Sequence, residues 1–277
     1  MTLAVSVQIC TLNEEGRLPA CLESVLANQP AEVLVIDGGS TDRTVEIAES
    51  SGCRVLQPGR LGLGASRRLG YQSGTQPYTA FVDADDRLPP TWLSEQVSAL
   101  ESGGYSALQS QLRSATPRGF WGRGWNQYFI ESVRPCADTT IVGRPALFET
   151  SALVETDAEL VSLDEDTHLS RRFELKGLRQ GIGYSVAYRY CELTWHENWR
   201  KWQSYGRGYR QFVRDHPERR RALLRHMLVT IPLVRGWRPV LRGQVMQPAF
   251  AVIMALGIMR GWFDAAGSSE TPRVSKE

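Results

Sequence analysis

The chain has no apolar run that reaches membrane-spanning length. Between Arg242 and Arg260 lie 17 residues, broken by Pro248 and Gly257, where a crossing helix needs about 20. Paired cysteines are also missing. The five present, Cys10, Cys21, Cys53, Cys136 and Cys191, are odd in number and irregular in spacing, which excludes a zinc ribbon and a disulfide scaffold and points to free thiols in a reducing compartment. No internal repeat is found, and the polar end from Ala265 to Glu277 is the only segment expected to be disordered. Met1 runs directly into apolar sequence with no basic segment and apolar core before a cleavage site, so the expectation is no signal peptide and a cytoplasmic location. With 277 residues, 42% of them hydrophobic, the chain suits one large domain plus an appendage.

Acids at the ends of apolar runs are what the chain does have. Tyr78 to Val82 leads into Asp83, Ala84, Asp85 and Asp86. Carboxylates gathered where a strand stops suit a hard divalent cation, which takes oxygen ligands and leaves positions open for water and phosphate. A plainer reading is a turn before Pro89 and Pro90 that caps a helix starting near Thr91.

The preceding residues favour the first reading. Leu3 to Ile9 runs into Thr11, Asn13, Glu14 and Glu15, and Val33 to Ile36 runs into Asp37, Gly38, Gly39, Ser40, Thr41 and Asp42. Amphipathic segments, Leu18 to Leu26 and Thr44 to Ala48, separate these strands, a pattern that predicts a mostly parallel α/β sheet with crossover helices. Ligands of such sheets sit beyond the carboxyl ends of the strands.

Taken in order, Thr11 to Glu15, Ile36 to Thr44, Gly64 to Gly70, Val82 to Asp86 and Leu163 to Phe173 resemble the family 2 glycosyltransferases, whose nucleotide-sugar-binding fold is called GT-A. The resemblance implies a Rossmann-like GT-A domain over residues 1–197. It places Thr11, Asn13, Glu14 and Asp37 around the nucleotide base, with Asp37 accepting from a ring N–H. Relatives often carry a second acid at the position of Gly38. Ser40 or Thr41 is expected to cap the following helix. Asp85 is implied as the direct ligand of Mg²⁺ or Mn²⁺, Asp83 as a neighbour of the ribose or of a metal-bound water that also serves the metal, and Asp86 as a supporting group. Arg67 matches the family's arginine and suits phosphate or the metal-site acids, as does Arg68 more weakly.

The run Leu163 to Arg172 matches the family's acidic pair at a helix start, with Asp166 aligned to the base of inverting members and Glu165 second. Helix capping is the alternative for both, with Asp164 and Thr167 available for that duty. Ile141 to Phe148 falls where relatives shape the acceptor pocket. His196, after a predicted strand Ala187 to Leu193, is the candidate for a histidine that completes the metal site in several relatives. His168 is a weaker candidate.

Charge divides the chain despite its net +2. Residues 1–100 carry 12 acids and 7 bases, and residues 198–262 carry 13 bases and two acids, Asp215 and Glu218. In that second region Trp199, Trp202, Tyr205, Tyr209 and Phe212 interleave with arginines and precede apolar runs, a composition suited to a membrane interface. Packing on the catalytic domain or another subunit is the alternative for residues 198–264. Tyr205 to Gly208 and Gly257 to Gly261 also resemble tails of relatives that act on lipid-linked or surface glycans.

The expected activity is therefore metal-dependent, inverting glycosyl transfer from a nucleoside-diphosphate sugar to a glycan, glycolipid or polyprenyl-phosphate acceptor, at the cytoplasmic membrane face, with a homo-oligomer left open. Nucleic acid is not expected as a partner, because the acidic strand ends repel polyanions and no recognised motif occurs. A sugar nucleotidyltransferase is the second reading; its glycine-rich basic loop after the first strand is replaced here by Thr11 to Glu15. An inactive relative that binds a membrane or nucleic acid is the third.

Overall fold

The computed structural model describes residues 2–156, 165–191 and 193–267. The chain divides into two compact units, one of Met1–Arg118 with Phe129–Cys191 and one of Gly119–Tyr128 with Glu192–Glu277. Asp164 and the end of the polar tail lie outside the described residues.

The first unit is an α/β sheet. Its strands are β1 (Leu3–Thr11), β2 (Pro30–Asp37), β3 (Arg54–Leu56), β4 (Tyr78–Asp83), β5 (Asp86–Arg87), β6 (Ala107–Ser114), β7 (Ala146–Glu149) and β8 (Gln180–Arg189), in the order β3-β2-β1-β4-β7-β6-β8-β5. Between them run α1 (Leu18–Leu26), α2 (Thr44–Ser50), α3 (Leu63–Ser73), α4 (Trp92–Gly103), α6 (Thr150–Glu155) and α7 (Glu165–Leu175), while α5 (Gly119–Ser132) belongs to the second unit as far as Tyr128. The first half, β3-β2-β1-β4, is parallel throughout. β7 then enters antiparallel to both β4 and β6, and β5 antiparallel to β8, so the sheet is mixed.

Central position explains the run of β1. Val5, Val7 and Ile9 are fully buried on one face, and Ser6 and Gln8 on the other, as expected of a strand covered on both sides. Helix α3 lies close against it. A Cβ on Gly70 would fall 1.8 Å from Gln8 Oε1 and 3.0 Å from Ile36 Cδ1, so the glycine permits the approach. An aromatic cluster lies under the second half of the sheet, with the Phe81 and Phe148 rings 4.6 Å apart and Phe173 at 5.9 Å from Phe148.

The last strand corrects the sequence reading. β8 spans Gln180–Arg189 rather than Ala187 to Leu193. Its first half was masked by Gly181 and Gly183, which dilute the apolar pattern; a Cβ at Gly181 would meet the Tyr105 ring at 2.6 Å, so packing requires the gap. Its end is set by a new helix start. Thr194 accepts from Glu197 N, and Glu197 Oε2 accepts from Thr194 N at 2.7 Å, a reciprocal capping box.

The second unit is helical, with α8 (Trp195–Asp215), α9 (Arg220–Arg225) and α10 (Gln247–Gly267), and a wide-turn helical segment over His226–Arg235. No described helix is long and apolar enough to cross a membrane. α8 and α10 meet backbone to backbone. A Cβ on Gly206 would lie 2.0 Å from Ile258 O, and one on Gly261 2.0 Å from Gln203 O, so these glycines set a close helix crossing. Around it Trp121, Trp125, Trp202 and Phe250 form a ring cluster, in which Trp125 Nε1 donates to Asn198 Oδ1 at 2.7 Å. The alternation of rings and arginines in the sequence thus reports, in part, a core: Trp202 is fully buried.

Candidate active site

The sheet register brings the acidic strand ends side by side. Thr11 pairs with Asp37 across β1 and β2, and Cys10 pairs with Asp83 across β1 and β4. With neighbouring strands roughly 4.8 Å apart, Asp37 and Asp83 stand on either side of the end of β1.

Asp37 is 2% exposed and already well used. Its Oδ2 accepts from Gly39 N and Ser40 N, both at 2.9 Å, and its Oδ1 from the hydroxyls of Ser40 and, at 3.3 Å, Thr11. The loop after β2 is laced to the loop after β1: Asn13 N donates to Ser40 Oγ, Thr41 N to Asn13 Oδ1, and Glu14 N to Thr44 Oγ1. Asn13 adopts φ 56°, a left-handed conformation that asparagine tolerates. Neither Ser40 nor Thr41 caps α2. Asp42 holds its start, accepting from Thr44 N at 3.0 Å, because the hydroxyl of Ser40 is turned to Asp37 and Asn13.

At the end of β4, Asp83, Asp85 and Asp86 place one carboxylate oxygen each within 4.8 Å of one another. Three hard oxygen donors at that spacing fit a divalent cation of the Mg²⁺ or Mn²⁺ type. The three are not equivalent. Asp86 is fully buried, accepts from Asp83 N at 3.0 Å and closes the turn, and burial, its largest influence, pushes its carboxyl up to about 6 against the pull of Arg189. Asp85 and Asp83 keep 23% and 22% side-chain exposure. The plain turn reading holds for Asp86, which closes the turn.

Across from them, α7 begins with Glu165 and Asp166. Two arginines join the halves. Arg67, on α3 and 1% exposed, donates from Nη2 to Asp83 Oδ1 at 2.7 Å and from Nε to Glu165 Oε1 at 3.3 Å, with its guanidinium 5.2 Å from the centre of the Phe81 ring. Arg144 donates to Asp83 at 3.0 Å and to Glu165, and its Nη1 lies 3.7 Å from Asp166 Oδ2. Burial works to raise the Asp83 carboxyl, but Arg144, Arg189 and Arg67 outweigh it and hold the group far below the ordinary carboxylate range. Asp166 goes the other way. Burial is its largest influence and raises its carboxyl, Arg144 opposes and Glu165 adds to the rise.

Glu165 and Asp166 thus part company. Glu165 is clasped by two guanidiniums and 7% exposed, whereas Asp166 retains 27% side-chain exposure. Both, with Arg67, Arg144 and Gly143, line a recess floored by Phe81, Phe148 and Leu169.

Two central groups went unassigned in the sequence reading. Arg144 was passed over within the glycine turn Ile141 to Phe148, and Arg189 within a predicted strand. The available signal was a lone arginine at a strand end or turn in a chain whose acids also sit at strand ends. Arg68 does not enter the recess lining, and His196 is an exposed residue in the first turn of α8, in the second unit.

The profile of the family described as Glycosyl transferase family 2 matches residues 6–153, more than half of the chain. An uncharacterised glycosyltransferase of Mycobacterium tuberculosis is 37% identical over 100 residues, 36% of this chain and 45% of that protein; the chain thus spans under half the length of that curated relative. Among solved structures, the mannosyltransferase PcManGT from Pyrobaculum calidifontis with GDP-Man and Mn²⁺ has a TM-score of 0.67 at 15% identity, covering 98% of this chain and 89% of that one. Residues 1–349 of S. aureus TarS with UDP-GlcNAc give 0.61 at 17% identity, over 94% and 81%. These structural likenesses concern the fold.

Proposed function

The chain belongs to the family 2 glycosyltransferases, and from that membership we propose that it moves one sugar from a nucleoside diphosphate to a hydroxyl acceptor, with inversion and with a divalent cation. The observation that carries this reading is Arg144. One guanidinium touches both Asp83 of the cation cluster and the Glu165–Asp166 pair, so the leaving-group side and the proton-accepting side are a single side chain apart.

Asp166 is the base that takes the acceptor's proton. Its raised carboxyl and open edge suit that work, because a base is most effective with a pKa drawn toward the working pH. Glu165 fixes Arg67 and Arg144 in place. Asp85 and Asp83 hold the cation, which when bound offsets charge on the departing diphosphate; His196 is a further ligand candidate. Thr11, Asn13, Glu14 and Asp37 receive the nucleoside. A ring N–H there replaces the 3.3 Å bond from the Thr11 hydroxyl, since the four acceptor positions of Asp37 are otherwise filled.

The second unit supports an acceptor held at a membrane surface. Leu233, Trp237, Leu241 and Val245 are 56%, 58%, 89% and 71% exposed, and Arg235, Arg238 and Arg242 stand among them. Apolar side chains beside arginines match a bilayer interface with anionic headgroups.

The direct test is thermal shift against a panel of nucleotide sugars with and without MnCl₂, followed by NMR of the product's anomeric proton. A rise in Tm that needs both components, and a product of inverted configuration, is the expected result. Absence of any shift at millimolar donor would refute the reading.

A further inference from the structure

Arg189 is the last residue of β8 and stands opposite Asp86 in the β5–β8 pairing. Its side chain is 12% exposed and it contacts every acid of the cation cluster. Nε and Nη2 grip Asp86 as a two-pronged fork at 2.7 and 2.9 Å, Nη2 also reaches Asp83 Oδ2 at 2.8 Å, and Nε lies 3.5 Å from Asp85 Oδ1. The backbone on either side is tied down as well: Tyr190 N donates to Asp85 O at 2.9 Å, and Cys191 Sγ donates to Arg189 O at 3.4 Å. Arg67 and Arg144 differ from it, since each is shared between Asp83 and Glu165 and so bridges the two halves of the site.

We propose that Arg189 is an internal counterion that competes with the divalent cation for Asp83 and Asp85, keeping cation affinity low until a nucleoside diphosphate engages the site. The inference rests on the cation-dependent reading above and adds a positioning residue that couples the two ligands. The physical reason is charge. A fixed positive group 2.8 Å from Asp83 and 3.5 Å from Asp85 both neutralises the ligand oxygens and repels a second cation, a repulsion that water screens only in part at a protein edge. An incoming diphosphate supplies two or more negative charges. Drawn toward them, the guanidinium loosens its hold on Asp83 and Asp85, so each ligand raises the affinity for the other by the same factor.

The experiment measures Mn²⁺ binding by the electron paramagnetic resonance signal of the free ion, with full-length protein, alone and with UDP or GDP. For wild type the expected result is weak binding alone and at least about tenfold tighter binding with one of the two nucleotides, tenfold corresponding to 1.4 kcal/mol. Arg189→Met should bind Mn²⁺ alone about tenfold or more tightly than wild type, and its coupling to nucleotide should fall toward one. Arg189→Lys, a point charge without the fork, should fall between them. Equal or weaker Mn²⁺ binding by Arg189→Met, with wild-type coupling intact, overturns the counterion role and leaves the site reading standing. Wild type that binds no Mn²⁺ under either nucleotide overturns both. Should Arg189→Met fail to fold, the Nε–H resonance of Arg189 in wild type decides: with Mg²⁺ and nucleotide added it should shift and lose exchange protection, and an unmoved, protected signal overturns the proposal.

Discussion

Arginine serves opposite ends in the two units. In the first, Arg67, Arg144 and Arg189 are 1%, 17% and 12% exposed and each is locked onto carboxylates. In the second, Arg214 and Arg260 are 72% and 66% exposed and meet acids only at the surface. The difference follows from supply. Twelve acids occur in residues 1–100 and two in residues 198–262, so the carboxylates that offset the burial of a guanidinium are concentrated in the first unit. Hydrophobic groups show the reverse. The first unit encloses β1 from Val5 to Ile9, while the second leaves Leu241 89% exposed. Charge buried inward suits the donor site proposed above, and charge left outward beside exposed apolar groups suits the proposed acceptor surface.

The contrast breaks most sharply at the base. Asp166→Asn should lower transfer by about 10²- to 10⁴-fold with donor affinity unchanged, read by steady-state kinetics beside calorimetry. The wild-type rate should fall as pH drops through the raised pKa of Asp166, since the protonated form cannot accept, and that limb should vanish in the variant.

Next comes the inward charge. Arg67→Met removes a buried partner from both Asp83 and Glu165, leaving Glu165 to Arg144 and Asp83 to Arg144 and Arg189, and should cost the first unit about 3 kcal/mol, the low end for breaking a buried pair. Hydrogen exchange followed peptide by peptide should register the loss in β4 and α3. Uniform loss across α8 and α10 instead would erase the distinction between the units.

The mirror experiment is Gly261→Ala. Its Cβ would fall 2.0 Å from Gln203 O, so α8 and α10 must separate at a cost of about 1–3 kcal/mol, visible as faster exchange in those helices with the site's nucleotide affinity kept. A smaller effect belongs to His226, which burial, and then Arg235, depress to about 4. The unfolded chain binds a proton between about 6.5 and 4 that the folded one refuses, so stability is full above that window and is lost as pH falls through it. His226→Gln should flatten this slope in a melting series from pH 7 to 4. Thr194→Ala should cost about 1 kcal/mol by removing the α8 cap.

Legibility in the sequence followed distance along the chain. Asp83, Asp85 and Asp86 are adjacent, and Glu165 and Asp166 open a helix, so each group could be seen locally. Arg189 lies 103 residues from Asp86, and Arg144 lies 61 from Asp83; their partners are set by strand register, which no local pattern displays. Asp37 illustrates the same limit. Its place after an apolar strand was readable, and its four loop hydrogen bonds were not. Trp199 and Trp202 of α8 share one expectation, a membrane interface, yet Trp202 is core while Trp199 is half-buried, since helical spacing alone does not tell which face finds a partner.

Local order along the chain determined that this protein has strands ending in acids, an acidic helix start and a basic aromatic C-terminal region, because hydrophobic periodicity and terminal residues act over a few positions. Tertiary structure decided which arginine neutralises which acid, which carboxylate of the Glu165–Asp166 pair stays partly open, and which rings are buried. Those outcomes depend on distances of a few ångströms between residues far apart in sequence, where electrostatic energies change steeply and only the folded sheet sets the separation.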